Sequence, residues 1–519
     1  MWPLAQVIDG HARAQPDAPA FLAHRTTLSW SGYAERSNLL AGHLIALGLL
    51  PGERVAVVLP DGPGVHVAFV GCEKAGLVVM GIGPRAGEDE IRHLLARSEA
   101  RALLARPHHR GTDMAALCDE LRGQGQPLEH FVPVQGQLEE SEPTLRNARP
   151  PGEAERDRRL GAEDLFLLNS TSGTTGLPKC VTHHQARWHH FHRFAVAAGE
   201  MSSKDVFLSA LPAPFGFGLW TAHFTPTLLG APTVLMESFD AADMVGAIET
   251  HRVSVLAAVS TQFIMMLNSG ALEKHDTSSL RVLFTGGEAV PYERAAEFEE
   301  KTGAPVLQFY GSNETGALSH TSTADTREKR LRTAGRVIPE MQVRLYDDAG
   351  RDVTASGEGQ PACRGPLTSR GYFGDEEANA RLYTGDGWML TGDIGRIDGD
   401  GYLSVIGRTA DFIIRGGKNI SGPAVEEAVG GHPDVALAAA VAMPDPIFGE
   451  RVCVYAELRS GAQELSLDAL CADLASRGVS KEWFPERLIV VDALPRASGG
   501  KIAKGELRAD IRRKLEAEL

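Results

Sequence analysis

Short apolar runs alternate with helical patterns along the first half of the chain, and this alternation limits the folds that it can adopt. Arg54–Leu59 and Ala102–Ala105 are typical of buried strands, and Val65–Ala75 and Glu90–Ala96 are typical of helices. Strands that alternate with helices form parallel sheets with helices on their faces. The sequence therefore predicts an α/β fold, with further strands at Val206–Leu211, Thr233–Met236, Val253–Ala258 and Val282–Thr285.

Changes in composition divide the chain further. Residues 135–163 are rich in Gln, Glu, Arg, Pro and Gly, which predicts a solvent-exposed loop that joins two α/β subdomains. From about residue 365, Gly- and Asp-rich turns predict short antiparallel strands in a small β-barrel-like part. The tail after Gly407 has strand and helix patterns of its own. We predict an N-terminal domain at 1–407 and a small, mobile α+β C-terminal domain at 408–519, with a hinge near 408–411.

The composition argues against several classes of protein. The chain has a formal net charge of −15, whereas a nucleic-acid-binding surface is usually basic. Its six cysteines include no C-x-x-C pair, so neither a zinc site nor a disulfide framework is expected, and a reducing cytoplasm fits best. We find no secretion signal and no apolar run long enough for a membrane span, so no membrane partner is expected.

Residues 171–179, Thr-Ser-Gly-Thr-Thr-Gly-Leu-Pro-Lys, are the most informative motif. Glycines let backbone N–H groups approach an anion, and the hydroxyls and Lys179 add donors and positive charge, as in a phosphate-binding loop. The spacing differs from the common nucleoside-triphosphate loop, because Leu177 and Pro178 separate Gly176 from Lys179. A helix that begins at the lysine is therefore not expected. A solvated turn is the alternative interpretation.

A second motif, Gln308–Gly316, places an aromatic residue, a glycine and an acid at the end of a predicted strand. Tyr310 can stack on a base, and Glu314 can hold Mg²⁺ on phosphate oxygens. An ordinary strand end followed by a turn fits this segment equally well.

Three further segments are compatible with nucleotide binding. Gly286 and Gly287 follow a predicted strand, where glycines allow close approach of a ligand. Asp393 can accept both ribose hydroxyls, and Arg408 lies fifteen residues further on. Lys501 follows two glycines near the C-terminus. Each segment taken alone is also compatible with a plain turn or a solvated lysine.

Together, in this order, the five segments resemble the signature of the adenylate-forming superfamily, which includes acyl-CoA synthetases, carrier-loading adenylation domains and luciferases. The resemblance spans nearly the whole chain, and it is to an AMP-forming acyl-CoA synthetase, an acid–thiol ligase. It implies ATP-dependent activation of a carboxylic acid to an acyl adenylate, release of pyrophosphate, and transfer of the acyl group to the thiol of CoA. The implied cofactors are ATP, Mg²⁺ and CoA.

The resemblance also implies roles for individual residues. Lys501 would place positive charge between the carboxylate and the α-phosphate, and Glu314 with Thr175 would hold Mg²⁺, so these three are the predicted catalytic residues. The predicted nucleotide-binding residues are Thr171, Ser172, Gly173, Thr174, Thr175, Gly176, Lys179, Gly287, Glu288, Ala289, Phe309, Tyr310, Gly311, Ser312, Asn313, Glu314, Asp393, Arg408 and Lys501.

The chain departs from the family pattern at three positions outside the predicted acyl pocket. Asn313 replaces the usual Thr, from which we expect a weakened phosphate contact. Ala410 replaces the usual Asp or Lys of the hinge, and Ala424 replaces the first Glu of a Pro-x-Glu-Val-Glu segment. Either the two alanines are harmless, or domain rotation or thioester formation is impaired or passed to another protein. The predicted hinge and thiol-tunnel residues are Ala410, Gly416 and Gly417.

An acyl pocket is predicted around Pro212–Trp220, which aligns with the family's Pro-Leu-Phe-His-x-x-Gly and has Phe215 in place of the His. Apolar walls and small residues predict a roomy pocket for a bulky apolar or aromatic acid. No acidic residue near Trp220–His223 is available to pair the ammonium of an amino acid. The predicted pocket residues are Phe215, Gly216, Phe217, Trp220, Gly286, Gly287, Gly316 and Ala317.

Other functions share these motifs. The nearest alternative is a stand-alone adenylating enzyme that loads a phosphopantetheinylated carrier protein; a luciferase-type oxygenase and a non-catalytic nucleotide sensor are more distant ones. The histidine-rich run His183–His192 invites a metal site, but no acid or cysteine joins it, so packing beside the phosphate loop is favoured. We expect a monomer or a homodimer.

Overall fold

The structure is a computed structural model. It describes residues 1–23, 26–170, 178–347, 349–408, 411–415, 418–462, 464–497 and 501–518, with the backbone alone at 26, 408, 418 and 419. The strands are β1 (Pro19–Ala23), β2 (Thr26–Ser29), β3 (Arg54–Val58), β4 (Val78–Gly81), β5 (Ala100–Ala105), β6 (His108–His109), β7 (Thr112–Asp113), β8 (His130–Pro133), β9 (Leu165–Ser170), β10 (Cys180–His184), β11 (Phe207–Ser209), β12 (Thr233–Leu235), β13 (Val255–Ala257), β14 (Val282–Gly286), β15 (Val306–Ser312), β16 (Gly316–His320), β17 (Arg336–Val337), β18 (Gln342–Tyr346), β19 (Glu358–Arg364), β20 (Met389–Leu390), β21 (Asp393–Ile397), β22 (Leu403–Arg408), β23 (Phe412–Arg415), β24 (Lys418–Ser421), β25 (Val435–Asp445), β26 (Gly449–Leu458) and β27 (Arg487–Val490).

Helices alternate with these strands through most of the chain. They are α1 (Leu4–Ala14), α2 (Trp30–Ala46), α3 (Pro63–Ala75), α4 (Glu88–Ser98), α5 (Met114–Gly123), α6 (Pro143–Arg146), α7 (Glu153–Arg156), α8 (Gln185–Gly199), α9 (Gly216–Gly218), α10 (Thr225–Leu229), α11 (Ala241–His251), α12 (Ser260–Asn268), α13 (Tyr292–Thr302), α14 (Arg327–Arg332), α15 (Glu376–Leu382), α16 (Gly422–Gly430), α17 (Leu467–Ser476) and α18 (Lys504–Glu518). A π-helical stretch, Leu219–Phe224, joins α9 to α10.

Two largely parallel sheets form the first part of the molecule. Within the described residues, one sheet has nine strands in the order β17-β16-β15-β14-β13-β11-β12-β1-β2, and the other has six in the order β10-β9-β4-β3-β5-β8. One hydrophobic core, to which Leu40, Phe69 and Trp220 contribute, packs against both sheets. The predicted pair of α/β subdomains is thereby confirmed.

The region around residues 135–163 differs from its prediction in two ways. It joins β8 to β9, which belong to the same six-stranded sheet, so it does not connect the two subdomains. It is also not simply exposed, because Leu138 and Leu145 are buried in the shared core. The polar composition of this segment gave no indication of these two buried leucines.

Two antiparallel sheets complete the chain. The strands β18 to β22 form one, which corresponds to the predicted β-barrel-like part, and β23 to β27 form the other. The second sheet packs on α16 and α17 on one side, through Val425 and Leu470, and on α18 on the other, through Leu507 and Ile511. The chain passes from one sheet to the other between Arg408 and Phe412. No helix among the described residues is long and apolar enough to cross a membrane.

Candidate active site

The carboxyl ends of strands from both parallel sheets meet at one place. Asn169, near the end of β9, is fully buried and donates its amide N–H to the carbonyl of Pro214, which follows β11, at 3.0 Å. The same amide donates to the side-chain oxygen of Asn313, which follows β15, at 3.1 Å. Ligands bind at the carboxyl ends of parallel strands in open α/β sheets. The arrangement therefore marks this junction as the candidate site.

The phosphate-loop motif joins two antiparallel strands. Ser170 at the end of β9 pairs with Cys180 at the start of β10, so a strand and not a helix follows the lysine, as the spacing predicts. Lys179 is exposed, and its ammonium lies 4.9 Å from the ring centre of Tyr372. Thr171, Ser172, Gly173, Thr174, Thr175 and Gly176 lie outside the described residues.

The predicted ribose acid and the predicted base-stacking aromatic are bonded to each other. The hydroxyl of Tyr310, in β15, donates a hydrogen bond to the Asp393 carboxylate, at the start of β21. Asp393 also stands directly opposite Arg408 in the antiparallel pairing of β21 with β22. Three of the predicted nucleotide-binding residues are thus brought together from two different sheets.

Glu314 and Lys179 both contact Tyr372. The Glu314 carboxylate accepts a hydrogen bond from the Tyr372 hydroxyl at 2.8 Å, and burial together with this carboxylate raises the pKa of Tyr372. Because Lys179 lies over the ring of Tyr372, one phenol connects the predicted metal ligand to the predicted phosphate-binding lysine. The sequence did not indicate a role for Tyr372, because Gly371-Tyr372 is typical of a turn.

Arg187 holds the backbone around Glu314 in place. It lies in the first turn of α8, is fully buried, and donates to the carbonyls of Asn313 at 2.9 Å and Glu314 at 3.3 Å. It also donates to the carbonyl of Leu367 at 2.7 Å. Burial lowers the pKa of this guanidinium to about 9, and the Glu314 charge opposes that effect. The histidine-rich sequence around Arg187 did not indicate that this residue binds the backbone beside Glu314.

The side-chain oxygen of Asn313 faces the loop that follows β11, which we call the acyl loop because the acyl pocket is predicted there. That oxygen accepts the backbone N–H of Gly216 at 3.0 Å as well as the amide of Asn169. The sequence predicts a weakened phosphate contact for Asn313, whereas its oxygen is engaged by the loop after β11. The Asn313 side chain therefore holds the loop after β11, where the acyl pocket is predicted.

The C-terminal lysine reaches the segment that follows β14. A methyl group built on Gly287 would lie 3.1 Å from the Lys501 ammonium, so this lysine of the tail contacts the nine-stranded sheet. The carboxylate of Glu288 accepts the Thr261 N–H at 2.9 Å at the start of α12. Burial raises the pKa of Glu288, while Lys501 is close enough to oppose that shift. The carbonyl of Ala289 accepts the Ser260 hydroxyl at 3.0 Å.

Aromatic rings form the apolar wall of the predicted acyl pocket. Trp220 is buried, stacks on Phe217 with 5.8 Å between ring centres, and meets Phe309 edge-on at 5.4 Å. Phe191 of α8 and Phe284 of β14 meet other edges of Trp220 at 5.2 Å each. Such edge-to-face clusters hold rings in fixed orientations. Phe215 is half-buried beside them.

The small residues predicted to line the pocket fall into two kinds. A methyl group built on Gly216 would lie 2.9 Å from the side-chain oxygen of Asn313 and 3.2 Å from Trp188. At Gly316 it would lie 2.3 Å from the Leu367 carbonyl oxygen, and the φ angle of +66° also favours glycine. At Gly286 it would lie 2.4 Å from the Phe309 carbonyl oxygen. Gly311, which was predicted to bind the nucleotide and not the acid, is crowded in the same way, with 1.8 Å to the carbonyl oxygen of Gly316. Gly216 thus adjoins pocket side chains, whereas the other three are required by neighbouring backbone. Ala317 is buried beside them.

The predicted hinge and thiol-tunnel residues are a separate group near the start of the C-terminal part. Ala410, Gly416 and Gly417 lie outside the described residues. Ala424 lies in the first turn of α16, whose N-terminus is capped by the Ser421 hydroxyl.

The residues present fit a magnesium ion held largely by phosphate. Among the described residues there is no cluster of three or more His, Cys, Asp or Glu side chains with the geometry of a metal site, and this includes the histidines around α8. Mg²⁺ is usually held by one or two carboxylates together with substrate phosphates and water. Glu314 supplies one carboxylate next to Tyr372, which matches that donor set.

Comparison with known proteins agrees with this geometry. Residues 8–373 match the family model of the AMP-binding enzyme, and residues 424–501 match the AMP-binding enzyme C-terminal domain. The chain is 31% identical to the medium-chain fatty-acid–CoA ligase of Escherichia coli (strain K12), over 98% of this chain and 90% of that protein. It is 32% identical to a feruloyl-CoA synthase of Amycolatopsis sp, over 98% of both chains.

A solved structure shows the same architecture. The o-succinylbenzoate CoA synthetase of Bacillus subtilis, in complex with its acyl-adenylate intermediate, superposes with a TM-score of 0.82 at 25% identity, over 97% of each chain. The fold and site define a nucleotide-dependent α/β enzyme with a small C-terminal domain. The chain belongs to the AMP-binding enzyme family of the adenylate-forming superfamily, whose relatives named here are acyl-CoA and aryl-CoA ligases.

Proposed function

We propose that this enzyme activates a bulky apolar or aromatic carboxylic acid as its acyl adenylate, releases pyrophosphate, and transfers the acyl group to CoA. The observation that carries the proposal is the approach of Lys501 to Gly287, at the junction where Glu314 and Asp393 also lie. A lysine of the tail meets a strand end of the N-terminal part only when the two are closed on each other.

The charges at this junction suit attack of a carboxylate on the α-phosphorus of ATP. Two anions must approach, and negative charge develops on phosphorus, so catalysis rests on positioning and charge neutralisation. Lys501 would place a cation between the reactants, and Lys179 would contact the phosphates that leave. Mg²⁺ bound at Glu314 would offset phosphate charge. Tyr310 and Asp393, which are hydrogen-bonded to each other, would orient the nucleoside.

The acyl preference follows from the aromatic wall. Trp220, Phe217 and Phe309 interlock, and no carboxylate stands in the π-helical stretch that carries Trp220. An apolar or aromatic acid gains from burial against such rings. A relative named feruloyl-CoA synthase is consistent with an aromatic acid.

Lys501→Ala tests the chemical step. Adenylation should slow by roughly 10²–10³-fold, the usual cost of one well-placed electrostatic group. The measurement is acid-dependent ATP–pyrophosphate exchange across a panel of aliphatic and aromatic acids. Lys481→Ala, an exposed lysine of the same domain, is the matched control. Near-normal exchange in Lys501→Ala would remove the proposed role.

The second candidate is a stand-alone adenylating enzyme that passes its acyl group to a carrier protein. Ala410 and Ala424, which replace charged residues of the family pattern, favour it. Mixing the preformed adenylate with CoA or with a phosphopantetheinylated carrier separates the two candidates. Full turnover with CoA supports the ligase, and rapid adenylate formation with little CoA thioester supports carrier loading.

A further inference from the structure

A cavity beside helix α3 is lined by four cationic side chains and a single carboxylate. It has a volume of about 490 Å³ and lies between α1, α2, α3 and α7. That volume lies within the range of small-molecule sites, roughly 300–1,000 Å³. Its lining residues are Asp9, Ala12, Arg13, Ala34, Asn38, Lys74, Pro150, Pro151, Arg156 and Arg159. Four cationic side chains thus face one carboxylate.

Lys74 is the buried member of this set. Its residue is 2% exposed, and its ammonium donates to Asp9 at 2.9 Å and to the Ala34 carbonyl at 3.1 Å. An ammonium has three N–H donors, so one remains for a ligand in the cavity. Burial lowers the pKa of Lys74, and Asp9 opposes that shift. A second negative charge in the cavity would further stabilise the charged ammonium.

Both oxygens of the Asp9 carboxylate already accept hydrogen bonds from lining cations. One oxygen of Asp9 accepts from Lys74, and the other accepts from Arg159 at 2.9 Å. The exposed guanidiniums of Arg13 and Arg156 have no ion-pair partner in the part of the chain that the structure describes. Positive charge is therefore uncompensated here, although the whole chain has a formal net charge of −15.

Glu73 does not neutralise the cavity. Although it is adjacent to Lys74 in sequence, its carboxylate accepts the backbone N–H of Ala5 at 2.9 Å and faces α1. Burial raises the pKa of Glu73 to about 7, so near neutral pH it carries only part of a negative charge. An anion is thus the missing counter-charge of this pocket.

We propose that this cavity binds a small soluble oxyanion with two or more negative charges, such as a phosphorylated metabolite, at Arg13, Lys74 and Arg156. The ligand's oxygens take the third N–H of Lys74 and the guanidinium N–H groups, which suit paired contacts to phosphate oxygens. The proposal does not rest on the acid or acceptor of the enzyme, because the cavity residues are separate from those of the candidate active site.

Calorimetric titration with inorganic tripolyphosphate at constant ionic strength tests the proposal. The phosphate loop near Lys179 is the same in all variants, so differences between variants report on the cavity. The wild type should bind one more tripolyphosphate per chain than Arg13→Ser/Arg156→Ser, or the cavity site should weaken at least about tenfold in that variant. Both arginines are exposed, so the double variant is expected to fold. If it melts at a lower temperature than the wild type, the single variants Arg13→Ser and Arg156→Ser are titrated instead.

Arg110→Ser/Arg512→Ser is the matched control. It removes the same charge at two exposed positions away from the cavity. It should keep the stoichiometry and Kd of the wild type. Equal stoichiometry and Kd in wild type and Arg13→Ser/Arg156→Ser would overturn the proposal, and so would an equal loss in the control, which would mean diffuse charge attraction.

Discussion

Replacement of Asn313 by alanine separates two possible roles of this residue. The sequence pattern places it among phosphate-binding residues, whereas its oxygen accepts the N–H of Gly216 at 3.0 Å and the amide of Asn169 at 3.1 Å. Asn313→Ala removes both bonds. One is made directly to the loop after β11, and the other is made to Asn169 of β9, whose amide also binds the Pro214 carbonyl of that loop. Each bond contributes about 0.5–1.5 kcal/mol, so together they stabilise the loop by about 1–3 kcal/mol.

The loss should appear in the kinetics of the acid. If the acyl loop must be ordered in the transition state, about 1–3 kcal/mol corresponds to roughly 5- to 150-fold in kcat/KM for the acid. The KM for ATP should stay within about twofold, since the backbone carbonyl of Asn313 that binds Arg187 is unchanged. The assay is ATP–pyrophosphate exchange with acid and ATP varied in turn.

Gln308→Ala is the matched control for this substitution. Gln308 is an amide residue within β15, the strand that Asn313 follows, but it donates to the carbonyl of Arg330 at 2.8 Å, away from the loop after β11. It should leave the kinetics of the acid unchanged. A rise in the KM for ATP with no change for the acid in Asn313→Ala would refute the reasoning and restore the phosphate role.

Three further predictions test other contacts. Tyr372→Phe removes the 2.8 Å bond to Glu314, so the Mg²⁺ concentration for half-maximal exchange should rise about 2- to 12-fold; an unchanged value would separate the phenol from the metal ligand. Gly316→Ala should lower the free energy of unfolding by about 1–3 kcal/mol more than Gly374→Ala, where φ is also positive but space is open, as chemical denaturation can measure.

The last of the three concerns pH. Burial raises the pKa of Asp61 from 3.8 to about 7, so its folded form keeps the proton and the free energy of unfolding falls as pH rises between those values. Asp61→Asn, which keeps an acceptor for the Ala213 N–H, should flatten this decline in melting temperature between pH 4 and 7. An unchanged slope would mean that Asp61 is not the titrating group.

The sequence predicted the elements better than the contacts between them. The strand predicted at Val282–Thr285 occurs at Val282–Gly286, because an apolar run between breaks is a local signal. Arg187 was missed because the three backbone carbonyls that it binds lie 126 or more residues away, and no local pattern indicates them. Gly316 was interpreted wrongly for the same reason, because its neighbour is also distant in sequence. Its small size suggested room for a substrate, whereas the Leu367 carbonyl, distant in sequence, explains it.

Helix α8 has a consequence for how the specificity of this enzyme can evolve. One helix presents Arg187 to the backbone of Glu314, Trp188 to Gly216 and Phe191 to the aromatic wall. A substitution that reshapes the proposed acid site along α8 therefore also moves the support of Glu314, the predicted metal ligand. Changes of acid preference at Trp188 or Phe191 should be strongly epistatic with Arg187, so successful variants would arise through paired substitutions.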